Sequence, residues 1–250
     1  MDRRSFFAGE RRRAAGCYGD AMEAWPEAAE DLVRVQEGLA RLVPPAWHPA
    51  GSSIRVGACF VCFAPAGPAG ERAWAAGALV ERGRLPLTSL ATGKVTRAYE
   101  PGLLALREGP LLEAAVRSLP EPPDVVLVNA TGRDHPRRAG LALHLGAVLG
   151  VPTVGVTDRP LCARGDWPED IRGASSLLLL EGDLVGYWLR TKRGVRPVAV
   201  HIGWRVEPAV AVDIVLRAAR RARTPQPLRV ARMVARRARG AELRRSLPVA

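Results

Sequence analysis

Lysine is nearly missing from this chain, with two against thirty-five arginines. Cysteine is also sparse: Cys17, Cys59, Cys62 and Cys162 are too few and too scattered for a disulfide framework. Cys59 and Cys62 mimic a CxxC, but they lie in a strand-like run where residues three apart face opposite sides. That argues against a metal shared between them. No uninterrupted apolar run approaches roughly 18 residues, so no transmembrane helix is expected. The opening MDRRSFFAGERRRAAG holds no apolar stretch long enough for a secretory signal, which points to the cytoplasm. Internal repeats are absent, as are low-complexity tracts outside the Arg-rich end.

What is present suits one sizeable core. Nearly half of the 250 residues are hydrophobic (48%), enough to bury a single α/β unit. The charge is unevenly placed. Of the net +12, residues 217–245 supply +10, from eleven Arg against the single Glu242. A basic stripe of this kind is a nucleic-acid footprint, or simply a solvated helix face.

Periodicity predicts an amphipathic helix over 20–43, with Leu32, Val35, Leu39 and Leu42 near helical spacing and Pro44-Pro45 closing it. Strands are expected at 54–63, 73–80 and 85–91, then a helix at 103–118 and a strand at 124–129. A helix at 137–149, a strand at 152–156, a late hairpin from 176–189 and 197–206, and a helical region over 208–239 broken at Pro225 and Pro227 complete the order. Three antiparallel strands followed by helix–strand–helix–strand is the ribonuclease H-like order, a mixed sheet flanked by helices. The expected organisation is one domain: an N-terminal helical segment (1–53) packed on a core (54–223), and an Arg-rich C-terminal helix (224–250).

The most informative stretch is VVLVNATGRDHPRRAGLALHLG, residues 125–146. An apolar strand ends in Asn129, and a glycine-containing loop then carries His135, Arg137 and Arg138 into an apolar helix. Open α/β sheets place their chemistry at the carboxyl ends of strands. Arginine's planar fork suits phosphate, and the start of a helix favours anions.

Several segments together resemble the endonuclease V family, which nicks nucleic acid near deoxyinosine and related lesions. The resemblance runs from about residue 54 to 235. YEPGLLALRE (99–108) looks like Tyr-x-Pro-Gly-x-Leu-x-x-Arg-Glu. GRDHPRRAGLALHLG (132–146) looks like Gly-x-x-His-Pro-Arg-Arg-x-Gly-x-Ala-x-His-x-Gly. VPTVGVTDRPLC (151–162) and RTPQPLRVA (223–231) are similar to two further family segments. The resemblance implies a Mg²⁺-dependent phosphodiesterase built on three carboxylates: an Asp on the first strand, a Glu after Pro-Gly and an Asp ending the central strand. It also implies a strand-separating wedge at Tyr99, Pro101 and Gly102, and a close approach of base or backbone at Gly132 and Gly140.

The chain departs from that pattern where the chemistry lies. The family's Gly-x-Asp-Val-x-Phe aligns with Ala58-Cys59-Phe60-Val61-Cys62-Phe63, which puts Phe60 at the first carboxylate. The central-strand carboxylate is Asn129, the family's lysine falls at Asp158, and the His of a Gly-His-Arg falls at Trp204. Glu108 and His135 remain, and a lone carboxylate is a poor site for Mg²⁺, which wants several hard oxygens. The expectation is therefore a nucleic-acid binder with its metal chemistry disabled, needing no cofactor. Its partner would be DNA or RNA containing inosine or a distortion, not a membrane, and the protein would be a monomer. Phosphate contacts are expected from Arg137 and Arg138 and, on the last helix, from Arg229, Arg232 and Arg236. One alternative is an active nuclease using Mg²⁺ or Mn²⁺ on a remodelled set of Glu108, Asp134, Asp158 and His135. Another is a scaffold whose Arg-rich tail recruits an acidic protein.

Overall fold

A computed structural model describes residues 25–51, 53–64 and 71–245. The expectations for Cys17, the N-terminal leader and the 20–24 start of the first helix lie outside these residues. Helix α1 (Ala29–Arg41) buries Leu32, Gln36 and Leu39 at helical spacing, and Glu30 and Asp31 suit the positive end of its dipole. Strands β1 (Val56–Phe63), β2 (Glu71–Val80) and β3 (Leu87–Val95) form the expected meander, with β3 alternating outward and inward as an edge strand does. Then come α2 (Leu104–Arg117), β4 (Val125–Val128), α3 (Leu141–Leu149) and β5 (Thr153–Thr157). The chain ends with β6 (Ser175–Leu180), β7 (Asp183–Leu189), β8 (Val198–Ile202), α4 (Pro208–Ala219) and α5 (Gln226–Arg245).

All eight strands form one sheet in the order β3-β2-β1-β4-β5-β8-β7-β6. β4 pairs parallel with both β1 and β5, and every other pairing is antiparallel. The parallel centre is apolar on both faces because helices cover both, and Val125–Val128 are all buried. On one face α2 and α3 bring Leu112, Leu141 and Leu145 onto Cys59, Val61, Val126 and Val128. On the other, Ile214 and Leu228 of α4 and α5 pack on Ala58, Leu127, Val154 and Val200.

Four boundaries differ from expectation. The helix after His135-Pro136 begins at Leu141 behind Gly140, because Arg138 takes a left-handed φ of 56° that a helix cannot absorb. The late hairpin is β6–β7, closed by Glu181-Gly182 with φ of 53° and 89°, the signature of a primed two-residue turn. β8 is a third strand inserted between β7 and β5. Pro225 separates α4 from α5, whereas Pro227 sits in the first turn of α5, where its missing N–H costs nothing. α5 is also no loose tail: Leu228, Ala231 and Ala235 are buried, and Trp74 Nε1 donates to Glu242 at 3.0 Å. Deleting 224–250 would remove α5 from the second face of the sheet, so tail removal cannot isolate a recruiting role. None of the described helices is long and apolar enough to cross a membrane.

Candidate functional site

β1, β4 and β5 run parallel, so their carboxyl ends and the loops after them share one edge of the sheet. Glu108 reaches that edge from α2. It falls in the stripe Ala105, Gly109, Leu112 that α2 turns to the sheet, so its carboxylate enters a largely apolar space. Burial raises its pKa to about 7, and the neighbouring Arg107 offsets this only partly. Arg107 has other partners: it pairs with Glu71 and lies 4.1 Å over the Phe63 ring. No carboxylate or hydrogen-bond donor of the described residues answers Glu108.

The residue that shares this face with Glu108 is Cys59, not Phe60. Cys59 is fully buried in the α2-side core, and its thiol pKa is pushed up by desolvation and further by the Glu108 charge. Phe60 lies on the opposite face, packed with Trp74, Ala76 and Ala235. There the Arg232 and Arg236 guanidiniums stand 5.1 and 5.8 Å from its ring centroid. The expectation that Phe60 fills the first carboxylate's place is thereby corrected. One residue along a strand reverses the side chain's face, so Cys59, behind Gly57-Ala58, is the β1 residue on the Glu108 side. Cys62 falls on the Phe60 face, so the two thiols of the CxxC look apart as expected.

The remaining donors do not make up the loss. Asn129 is exposed and neutral at the end of β4. Asp158 is an exposed partner of Arg223 at 2.5 Å, which holds its pKa down. Trp204 is buried among Leu39, Ala139 and Leu143. Asp134 is fully buried and accepts the backbone N–H groups of Leu161, Cys162 and Ala163 at 2.7–2.8 Å. Among the described residues no group of three His, Cys, Asp or Glu could hold a metal ion. A neutral amide, a protonated thiol and one half-neutralised carboxyl are a poor match for Mg²⁺ or Mn²⁺. The remodelled set of Glu108, His135, Asp134 and Asp158 is not assembled.

The loop from Gly132 to Gly140 is a backbone clamp. The Gly102 carbonyl accepts from Gln36 Nε2 at 3.1 Å, His135 Nε2 at 3.2 Å and Arg137 Nη2 at 2.8 Å. Because His135 Nε2 donates, its Nδ1 is free to accept the Arg137 backbone N–H at 3.2 Å. Burial, with Arg137 alongside, lowers His135 to about 4, so it stays neutral. Arg137 also donates to Gln36 Oε1 at 2.6 Å. Arg138 pairs with Glu181 and Asp183 at 2.9 and 3.3 Å and reaches the Leu180 carbonyl. Neither arginine opens a helix, and both are committed to protein partners. A Cβ at Gly132 would land inside the Ile202 carbonyl, and one at Gly140 against the Thr131 carbonyl, so both glycines serve chain packing. Pro101 is exposed, and Tyr99 stands 62% exposed at the edge, on the turn where Gly102 takes φ 79°.

A family model described as endonuclease V matches residues 53–233. The chain belongs to the endonuclease V family. It is 40% identical over 187 residues to the Streptomyces coelicolor endonuclease V, covering 73% of this chain and 78% of that protein. The crystal structure of the Streptomyces avermitilis endonuclease V superimposes with a TM-score of 0.77 at 33% identity, covering 88% and 96% of the two chains. A Ciona intestinalis endonuclease V, solved with DNA containing an inosine followed by a ribo-adenosine, shares the fold at TM-score 0.68 and 19% identity, covering 85% and 97%. The sheet is accordingly ribonuclease H-like, with three antiparallel strands added beyond the five of the meander and parallel centre.

Against that family background, the expected phosphate contacts on α5 divide. Arg229 is exposed, with its Nε on the Thr224 carbonyl at 3.2 Å. Arg236 is exposed above Phe60, and Arg232 lies half-buried beside it with no hydrogen-bond partner for its Nε. Sequence reasoning missed a buried chain behind the edge. His201 Nε2 donates to Thr157 Oγ1 at 2.7 Å, and Thr157 donates to the Arg159 carbonyl at 2.6 Å. His201 Nδ1 faces Asp134 at 3.4 Å, and burial lowers the pKa of the imidazole. The signal was polar residues, Thr157 and His201, inside two largely apolar strands.

Proposed function

We propose that this protein binds inosine-containing or distorted nucleic acid without cleaving it through the family's metal chemistry. The observation that carries the reading is the space beside Glu108, where a buried thiol shares the face and no group of three His, Cys, Asp or Glu among the described residues could hold a metal ion. Three further features support it. The clamp around Gly102 keeps the wedge turn and the His135 loop in place. Tyr99 remains exposed at the same edge, where an aromatic stacks on bases of any sequence. The arginines of α5 give an exposed basic face that favours a phosphate backbone and whose contribution falls with salt. The nucleic-acid class comes from the family and from the Ciona neighbour's DNA.

The test is a labelled deoxyinosine duplex incubated with Mg²⁺, Mn²⁺ or EDTA, scored for mobility shift and nicking in the same tubes. Retarded, uncut DNA with equal affinity in all three conditions is the expected result. A nick that depends on metal and disappears in Glu108→Ala would overturn the reading.

A further inference from the structure

Beside the Glu108 edge, the segment 158–174 between β5 and β6 folds back over β6 and β7 and encloses a cleft of about 380 Å³. Arg159, Leu161, Arg164, Trp167, Trp188 and Arg196 stand in its wall. We propose that this cleft holds an unpaired, phosphodiester-linked nucleotide of a single strand. The proposal rests on the nucleic-acid-binding reading above and names the form of nucleic acid taken.

The chemistry is that of a stacking platform with cationic walls. Trp167 is 52% exposed, and Trp188 meets it edge-on at 6.2 Å and 74°. An indole left this open forfeits burial that a core position would give it. The Arg190 and Arg196 guanidiniums stand 5.9 and 5.5 Å from the Trp167 ring centroid. Among the described residues no carboxylate lies within ion-pair distance of Arg159, Arg164 or Arg196. Asp158, whose charge also feels Arg196, is ion-paired with Arg223 at 2.5 Å. Three guanidiniums with no carboxylate of the described residues at ion-pair distance, beside an open indole, match a phosphate and a base together. An acidic peptide would use the arginines and leave the flat apolar surface unanswered.

The cleft is also held in shape before any ligand arrives. Asp134 fixes the backbone of Leu161, Cys162 and Ala163, and Arg164 exchanges backbone hydrogen bonds with Leu179 at 2.8 Å. Trp188 Nε1 donates to the Gly165 carbonyl at 3.0 Å. Gly165 lies so close to Leu177 that a Cβ would strike its carbonyl, which seats the segment on β6. Arg190 threads under the segment to the Pro168 and Glu169 carbonyls at 3.1 and 3.3 Å. A pinned loop loses little freedom on binding. The volume sits at the small end of ligand clefts, roughly 300–1000 Å³, and suits one nucleotide rather than a base pair. Because β5 is parallel to β4, the segment leaves the sheet at the edge where Asn129 and the wedge turn stand. A strand opened at that edge therefore has a route into the cleft.

The test uses the whole protein and two probes: a labelled oligothymidine of roughly 15 nucleotides and a blunt deoxyinosine duplex. Trp167→Ala should weaken oligothymidine binding by about tenfold or more, with Trp167→Phe restoring most of it and duplex affinity almost unchanged. Arg196→Gln should flatten the log–log salt dependence for the oligothymidine by about 0.7, as one single-strand phosphate contact would. Equal oligothymidine affinity of wild type and Trp167→Ala, with duplex binding intact, would overturn the cleft and leave the nucleic-acid reading standing. Wild type that binds duplex and not oligothymidine would do the same. Polyglutamate competing as well as oligothymidine at equal charge would also overturn it, marking a general polyanion site. Failure to bind either DNA would remove the underlying reading and the cleft with it.

Discussion

The loop Gly132–Gly140 and the strand ends beside it occupy one edge of the sheet, and family residues survive very differently in the two. In the loop, Gly132, His135, Arg137, Arg138 and Gly140 match the family pattern, and each has a partner or a close approach that fixes the backbone. At the strand ends, Cys59 is buried on the Glu108 side of the sheet and Asn129 is exposed and neutral, so Glu108 is the one acidic group of the three. The loop residues hold chain to chain, so each contributes to the fold whether or not a cation is present. Residues that hold a cation can go, because without the cation clustered carboxylates repel one another. A single buried carboxyl, partly protonated, is cheaper to keep than three charged ones. The difference separates two roles that a conserved-looking motif mixes: scaffold and chemistry.

The most direct way to break the comparison is to restore a metal site at the strand ends. Cys59→Asp with Asn129→Asp should bind Mn²⁺ at least ~tenfold more tightly than wild type by calorimetry, about 1.4 kcal/mol. Its melting temperature should fall without metal and recover with it. Phe60→Asp with Asn129→Asp should give no such heat, because residue 60 faces α5. If the Phe60 pair binds and the Cys59 pair does not, the assignment of Cys59 to the Glu108 face is wrong.

Gly132→Ala against Asn129→Ala sets the loop against the strand end directly. The first forces a methyl into the Ile202 carbonyl and should cost about 3 kcal/mol or more in urea denaturation. The second changes an exposed side chain and should stay within about 0.5 kcal/mol. Comparable losses would erase the distinction.

Glu108 and the buried histidines give opposite pH signatures. Glu108 titrates near 7 in the fold and near 4.5 unfolded, so the native state binds the extra proton between those values. Its protonated form therefore favours folding at low pH, and that advantage is lost as pH rises from about 4.5 through about 7. Glu108→Gln should accordingly stabilise by about 1–3 kcal/mol at pH 8 and by almost nothing at pH 4. His135 and His144, both lowered to about 4 chiefly by burial, act in reverse: their contribution is full above about 6.5 and fades as pH falls towards 4. Chemical denaturation across that range would show the two slopes, and a Glu108→Gln protein with unchanged pH dependence would place the carboxyl in water.

The smallest effect belongs to α5. Arg236→Gln should weaken duplex binding by about threefold and reduce the salt slope by about 1, measured by anisotropy at several salt concentrations. An unchanged slope would make the arginine a partner of Phe60 alone.

The strands, the helix carrying Glu108 and the His-Pro-Arg-Arg loop were legible in the sequence because each is written in local pattern. Val125–Val128 is an unbroken apolar run between turn residues, and α2 shows its stripe at helical spacing. The face of residue 60 was not legible. Gly57-x-Cys59 and Val61-x-Phe63 each match part of the same family motif, in registers one residue apart. Only the pairing of β1 with β4 and the packing of α2 separate them. The roles of Arg137, Asp134 and Asp158 were equally hidden. Their partners are Gly102 and Gln36, the turn at 161–163, and Arg223, all far along the chain.

By itself, then, the sequence determined the family, the ribonuclease H-like order and the neutral Asn129 that ends the central strand. These follow from residue identity and short-range spacing, which burial and backbone geometry read locally. Tertiary structure alone decided that Cys59 rather than Phe60 shares the space of Glu108 and that the motif's histidine and Arg137 clamp the Gly102 carbonyl. It also brought Trp167, Trp188 and the unpaired arginines together around one cleft. Each of those depends on which face of a strand meets which helix, and a shift of one residue in a period of two reverses that choice.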